Sequence, residues 1–422
     1  MGKTAVSAAH LKLDRSMQML EDAQRLTPGG VGGIRRPYNF VVGEYPVFIT
    51  HGRGGHIFDV DGNEYIDMLC AYGPIILGYV EPEINDAVKA QMDKGFCFSL
   101  VQPVQNELEQ RLANTLPCGE QTILVKTGSD ATNAAVRAAR AYTGRDVIAR
   151  CGYHGWGDWC VENHGGVPQA VVELTKEFAY GKIEDLERVF AENSGKVAAV
   201  IITPVGHPLA APVIAPPDGY LEKVNEVTHK NGAVLIFDEI RTGFRVAMGG
   251  ASERYGVVPD LTTVGKAMAN GYAIAALVGK REIMSVYEKA AFLSSTFFPN
   301  SLEMVAAMTC MDILEREKVQ DAIWERGTRF LERLGKIVDE SDVPVTASGI
   351  PPMPFLTFDK VDERYKERRV AFYTQCIRRG LFVQPYHHWY IAYRHTEADL
   401  TRALDVVEES LAYVAQEFPR AV

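Results

Sequence analysis

The chain has 422 residues, 47% of them hydrophobic and 23% charged, with a formal net charge of −10. This is ordinary composition for a soluble globular protein of two or three domains. The acidic balance argues against nucleic acid as the main partner, which calls for a basic face, and no run approaches the roughly 20 apolar residues of a membrane-spanning helix.

Residues 1–26 carry basic side chains but no apolar core ahead of a cleavage site, so they read as a helical arm rather than a secretory leader. The stretch GGHIFDVDGNEYIDML (54–69) sets an Asp-Gly turn between alternating apolar residues, a hairpin pattern. QTILVKT (121–127) then precedes SDATNAAVRAARAYTG, whose apolar spacing predicts a helix closed by Gly144. DVIAR (146–150), KVAAVIIT (196–203), AVLIFDE (233–239) and LTTVG (261–265) are short apolar runs, and GYLEKVNEVTHKNG (219–232) is helical. Continuous rather than alternating runs mean strands buried on both faces. With helices between them, they predict an α/β fold around a mostly parallel sheet.

Helical patterns at 301–316, 318–340, 364–380 and 397–417 surround the strand-like pieces MPFLTFD and LFVQPY, which predicts a smaller α+β domain. The resulting division is an N-terminal arm and start of the small domain (1–60), a large α/β domain (61–300) and a C-terminal α+β domain (301–422). The hairpin goes with the small domain. Cys70, Cys97, Cys118, Cys151, Cys160, Cys310 and Cys376 form no CxxC and no regular framework, which fits reduced core thiols and a cytoplasmic location. No metal site is expected.

Three stretches carry chemistry, because ligands of open α/β sheets sit at the carboxyl ends of the strands. Gly128 and Ser129 stand where a strand gives way to a helix, a place suited to a phosphate or simply to a helix cap. Asp238 ends a strongly apolar strand and needs a partner, either a protonated heterocyclic nitrogen or the nearby Arg241 or Arg245. Lys266 follows LTTVG, where its amine either acts as a nucleophile with a lowered pKa or snorkels to the surface. A phosphate cradle, a carboxylate for a ring nitrogen and an imine-forming lysine together are what pyridoxal 5′-phosphate requires.

With those residues in place, the chain resembles the class III, fold type I pyridoxal-phosphate aminotransferases, in their glutamate-1-semialdehyde aminomutase-like and aminopentol aminotransferase-like branch. The pieces that carry the resemblance span nearly the whole chain: TPGGVGGIRR (27–36), DVDGNEYIDMLCAYGPIILGY (59–79), TGSDATNAAVRAARAYTGR (127–145), YHGWGD (153–158), FDEIRTGFR (237–245), PDLTTVGKAMANGY (259–272) and RHTEADL (394–400). The resemblance implies that Lys266 binds the cofactor as an imine and moves protons, and that Asp238 holds the pyridine nitrogen protonated. Ile240 would pack on one ring face and Tyr153 stack on the other, with His154 beside the cofactor. Gly128 and Ser129 would bind the phosphate, as would Ser295 and Thr296 of a neighbouring subunit, making a homodimer with shared sites. The implied partners are an amine donor and a keto-acid acceptor such as pyruvate. An intramolecular aminomutase is the alternative, and an inactive scaffold of the same fold the alternative of a different class.

The sequence departs from the family at several places. The glutamate that commonly pairs with a C-terminal, carboxylate-recognising arginine is here Thr203, and the arginine position falls near His388 or Trp389. Arg394 stands five or six residues later. Asp130 replaces a glutamate. The candidate substrate residues are therefore Tyr72, Trp156, His387, His388 and Trp389, with Arg36 matching the aminomutase arginine. Gly32 and Gly33 replace polar residues of the aminomutase pattern, which turns the expectation toward a transaminase for an amine or amino-polyol lacking the usual diacid pattern.

Overall fold

The computed structural model describes residues 6–33, 36–206 and 212–419. The chain forms two compact units, dividing after Glu81 and again before Asp321. The first unit takes the chain up to Glu81, a short segment ending at Ile214 and everything from Asp321. It opens with a helix, Asp14–Leu26, whose first turn is capped from a distance: the Asp61 carboxylate accepts from the N–H groups of Arg15 and Ser16, both at 2.9 Å. Strands β1 (Ile49–Arg53), β2 (His56–Asp59) and β3 (Glu64–Asp67) form an antiparallel meander. Asp59 holds the β2–β3 turn by accepting from the Asp61 and Asn63 N–H groups and the Tyr65 hydroxyl.

The second unit is built on a seven-stranded sheet. Its strands are β4 (Gln121–Val125), β5 (Val147–Cys151), β6 (Thr175–Glu177), β7 (Val197–Ile202), β8 (Val234–Asp238), β9 (Leu261–Val264) and β10 (Ala275–Gly279). The spatial order is β4-β10-β9-β8-β7-β5-β6. Only β10 runs against its neighbours. Every residue of β7, β8, β9 and β10 is buried, the structural counterpart of the continuous apolar runs. On one face Ala134, Ala135, Ala138 and Ala139 lie against Ile148, Ile201 and Ile236. On the other, Leu186, Phe190, Leu221 and Val224 pack on Ala149, Val200, Leu235 and Phe237. The alanines belong to the helix Gly128–Thr143, which starts at a Thr127–Asp130 capping box and ends at left-handed Gly144.

The chain then returns to the first unit. β11 (Val345–Ile350) and β12 (Met353–Phe358) form a hairpin, and β13 (Leu381–Phe382) adds to β3 in parallel. Val213 joins this unit through bonds to Ser348 and Gly349. The LFVQPY strand is shorter than its composition predicts. The Val383 carbonyl is taken by the Tyr45 hydroxyl at 2.7 Å, and Pro385 has no N–H to offer.

The domain boundaries expected at 60 and 300 shift to 81 and 320. Residues 61–81 stay with the meander because β3 pairs with β2 and Gly54 bridges Tyr79. The helix Ser301–Arg316 stays with the large sheet's unit because it packs against the helix Pro82–Met92 and the turn that carries Lys266.

Candidate active site

The parallel strands of the large sheet deliver their chemistry to one edge. β4 leads into Thr127, Gly128 and Ser129; β5 into Gly152, Tyr153 and His154; β7 into Thr203; β9 into Gly265 and Lys266; and β8 ends at Asp238 itself. Residues spread over more than a hundred positions are thereby brought together at the carboxyl ends, where such sheets bind ligands.

Asp238 is buried, and both carboxylate oxygens are engaged. Oδ2 lies 2.7 Å from His154 Nδ1, while Oδ1 accepts from the Ile240 N–H at 3.1 Å and the Thr263 hydroxyl at 3.2 Å. Facing a carboxylate, Nδ1 of His154 carries the proton. The other ring nitrogen, Nε2, is buried without a hydrogen-bond partner. The Thr132 hydroxyl donates to the His154 carbonyl at 2.7 Å, tying this loop to the helix that starts at Gly128.

Lys266 has a left-handed backbone, φ 45°, immediately after Gly265. Strained non-glycine conformations of this kind persist where the surroundings hold them, often at functional sites. Burial, followed by the positive charge of Arg241, pushes the amine down to about 7; Asp238 pulls the other way and Arg245 adds to the lowering. An amine so placed is largely neutral near physiological pH and able to attack a carbonyl.

Ile240 is central to the local packing. A Cβ on Gly128 would meet its Cγ2 at 3.0 Å, and one on Gly265 would meet its Cδ1 at 3.3 Å. Only glycine lets the helix start and the lysine turn close around that side chain. The Gly128 and Ser129 N–H groups open the helix and lack the intrahelical partners of later turns, so this helix start suits an anion. Gly155, with φ 109°, passes so close to Ser129 that a Cβ would fall 2.3 Å from its Oγ. Tyr153 is 43% exposed and Trp156 76%. A near-neutral amine, an oriented carboxylate, a helix start, an apolar side chain packed against it and accessible aromatic residues on the loop after β5 fit a phosphorylated pyridine aldehyde.

The remaining expected residues fall into different surroundings. Ser295 and Thr296 are exposed on the loop ahead of Ser301. In the first unit, Tyr72 and His387 are buried edge-to-face, with ring centroids 5.2 Å apart, and His387 stacks on His388 at 4.4 Å. Trp389 is fully buried with its ring edge-on to Phe330, so it is a packing residue, correcting the expectation that it lines a pocket. Its aromatic sequence context could not separate the two roles. Arg36 is exposed and lies over the Tyr38 ring. Arg394 is held by Glu81, with N–O distances of 3.0 and 3.1 Å, and so has a structural role. The sequence reading did not single out Thr263, whose only signal was a hydroxyl inside an otherwise apolar run; it named Tyr72, but not the left-handed backbone that Tyr72 shares with Cys70 and Ala71.

Comparison with known proteins follows this geometry. The family model described as aminotransferase class-III matches residues 39–396. A 3-aminobutyryl-CoA aminotransferase of Cloacimonas acidaminovorans (strain Evry) is 56% identical over 410 residues, covering 96% of this chain and 99% of that protein. A glutamate-1-semialdehyde 2,1-aminomutase of Natranaerobius thermophilus is 32% identical over 433 residues, covering 96% and 100%. Among solved structures, the PLP form of the FumI protein of Sphingopyxis sp. MTA144 matches with a TM-score of 0.91 at 27% identity, covering 97% of this chain and 98% of that one.

Proposed function

This chain belongs to the class-III aminotransferases and is a pyridoxal-phosphate-dependent transaminase, and we propose that its donor is a β-amino acyl thioester, with a keto acid as acceptor. The observation that carries the donor class is the 56% identity, over 96% of the chain, to a relative named for 3-aminobutyryl-CoA. Such a donor has no free carboxylate next to the reacting carbon. That agrees with Thr203 standing in place of the family's glutamate and with Arg394 being occupied by Glu81. The aminomutase alternative has weaker support, at 32% identity.

The cofactor, when bound, supplies the carbonyl carbon that takes the amino group and a ring that accepts the electrons of the broken C–H bond. The residues of this chain supply the rest. Asp238 offers its carboxylate to the ring nitrogen, and His154 fixes the orientation of that carboxylate. Ile240 would cover one ring face and Tyr153 the other, while Gly128 and Ser129 would hold the phosphate. Lys266 would anchor the cofactor and, once freed by donor amine, its amine would take the proton from the donor's amine-bearing β-carbon and deliver it to the cofactor carbon that receives the nitrogen. The donor leaves as a 3-oxoacyl thioester, and the acceptor leaves as an amino acid.

The working form in this reading is a homodimer in the cytoplasm. Support comes from Phe98, Leu100, Val101, Phe292 and Phe297, all exposed apolar residues of the large-sheet unit, the last two flanking the exposed Ser295 and Thr296 in sequence. None of the seven cysteines is in a disulfide, and six of them are buried. Among the described residues no helix is long and apolar enough to cross a membrane.

The test is to incubate the purified, cofactor-loaded protein with 3-aminobutyryl-CoA and either pyruvate or 2-oxoglutarate. Formation of a 3-oxoacyl thioester matched one-for-one by alanine or glutamate is expected. Amine migration within one substrate, with no need of an acceptor, would establish the aminomutase reading instead. Light scattering that returns a monomer in the active preparation would remove the shared-site dimer.

A further inference from the structure

Thr203 leaves the end of β7, the strand that lies between β8, which carries Asp238, and β5, which leads to His154. Its N–H donates to the Cys151 carbonyl at 3.0 Å, continuing the β5–β7 register by one residue, so its position at the edge of the sheet is fixed. The residue is 5% exposed, yet its hydroxyl oxygen has no hydrogen-bond partner. Across from it stands Gly152, with φ 115°. A Cβ there would fall 2.5 Å from Thr203 Oγ1 and 3.6 Å from His154 Cε1. Glycine is thus what lets the backbone pass this close to two buried side chains, each with a polar atom that no described residue satisfies: Thr203 Oγ1 and His154 Nε2. A buried hydroxyl left unpaired is unfavourable, so a group that pairs with it on binding is preferred over one that does not.

We infer that Thr203 is a specificity-determining residue whose hydroxyl donates a hydrogen bond to the uncharged acyl oxygen of the donor. The inference rests on the β-amino acyl reading of the site. A hydroxyl is a neutral donor. It matches a thioester carbonyl, which is a neutral acceptor, and supplies no charge to balance a carboxylate. A glutamate at the same place would set an anion against that carbonyl oxygen. The hydroxyl therefore reads the acyl group while the amine is handled at Lys266, and the two recognitions belong to different strands of one sheet edge.

The experiment compares kcat/KM for 3-aminobutyryl-CoA with that for free 3-aminobutyrate, in the cofactor-loaded wild type and in the Thr203→Val and Thr203→Ser variants. The retained visible band of bound cofactor serves as the folding control. The expected result is a thioester-to-acid ratio that falls about tenfold or more in Thr203→Val and recovers in Thr203→Ser. If Thr203→Val lowers both donors alike, or leaves the ratio unchanged because the hydroxyl holds only a water, the inference is overturned. A wild type that does not turn over the thioester overturns the donor reading itself, and with it the role of Thr203. Should Thr203→Val fail to hold cofactor, Thr203→Ala is read in its place by the same ratio.

Discussion

His154 Nδ1 lies 2.7 Å from Asp238 Oδ2, with both side chains out of water. Through this pair a histidine that follows β5 sets the aim of a carboxylate that ends β8. Asp238→Asn should lower kcat by about a hundredfold or more, because a preorganised charge in a water-poor site is lost. His154→Phe should cost less, about tenfold, since the carboxylate stays but one of its oxygens is released. Rapid-mixing spectra of the donor half-reaction measure both. A full rate in Asp238→Asn would remove it from contact with the ring nitrogen.

Lys266→Ala should leave the fold intact and reduce turnover by about ten-thousand-fold, the upper range for a lost proton-transferring group. The visible band that borohydride shifts in the wild type should be absent, and the thermal midpoint of the cofactor-free variant should be at or above that of the cofactor-free wild type, because a poorly hydrated amine has been removed. A variant that still transaminates would move the chemistry to another residue.

The lowered pKa of Lys266 sets the pH dependence of cofactor capture. Only the neutral amine attacks an aldehyde. Below about pH 7 the amine is mostly protonated in the cofactor-free protein, so the second-order rate of loading should fall about tenfold for each further unit of acid. Above about 7 it should flatten. An ordinary surface lysine would still be gaining rate through about pH 9. Stopped-flow absorbance after mixing with pyridoxal phosphate distinguishes the two profiles.

His395 predicts where the protein loses stability in acid. Its Nδ1 accepts from the Ala392 N–H at 3.0 Å, so Nε2 carries the proton and faces the Asp67 carbonyl at 3.1 Å. Burial pushes its pKa down to about 4, against a weaker opposing pull from Asp399. The unfolded chain binds the proton near pH 6.5 and the folded chain does not, so stability falls as pH drops from about 6.5 to about 4. The loss amounts to about 3 kcal/mol if no other group compensates. Denaturant midpoints across that range should decline more steeply for the wild type than for His395→Gln. Parallel slopes would show that another group governs the acid limb.

Much of this was legible in the sequence, for identifiable reasons. The core strands read correctly because each is apolar without alternation, which only a doubly covered sheet explains. The helix at Gly128 carried both of its ends in its sequence, Thr127 with Asp130 at the start and Gly144 at the close. Strand β10 was not read, although it is as apolar as its neighbours, because it follows a glycine-rich turn rather than a helix and runs the other way. Trp389 was misplaced from sequence, and Arg394 could be given no role there, for a shared reason. A large aromatic or a cation near a site looks the same in sequence whether it faces the ligand or a neighbour such as Phe330 or Glu81. Thr203 stood out only as a departure from a pattern; its unpaired hydroxyl is a property of the folded chain.

The reversed strand β10 bears on how this scaffold tolerates change. The residues that line the catalytic edge from β5, β7 and β8 are each followed by a connection that must travel back to the opposite edge before the next strand begins. Those returns pass through surface helices and can absorb insertions. The connection that bears Lys266 makes no such journey: from Gly265 to Ile274 it leaves β9 and enters β10 on the same side, clamped at both ends by paired backbone. A library of random insertions should accordingly be permissive in the returning loops and barren across Gly265–Ile274. The amine thus sits in the part of the chain least free to change length.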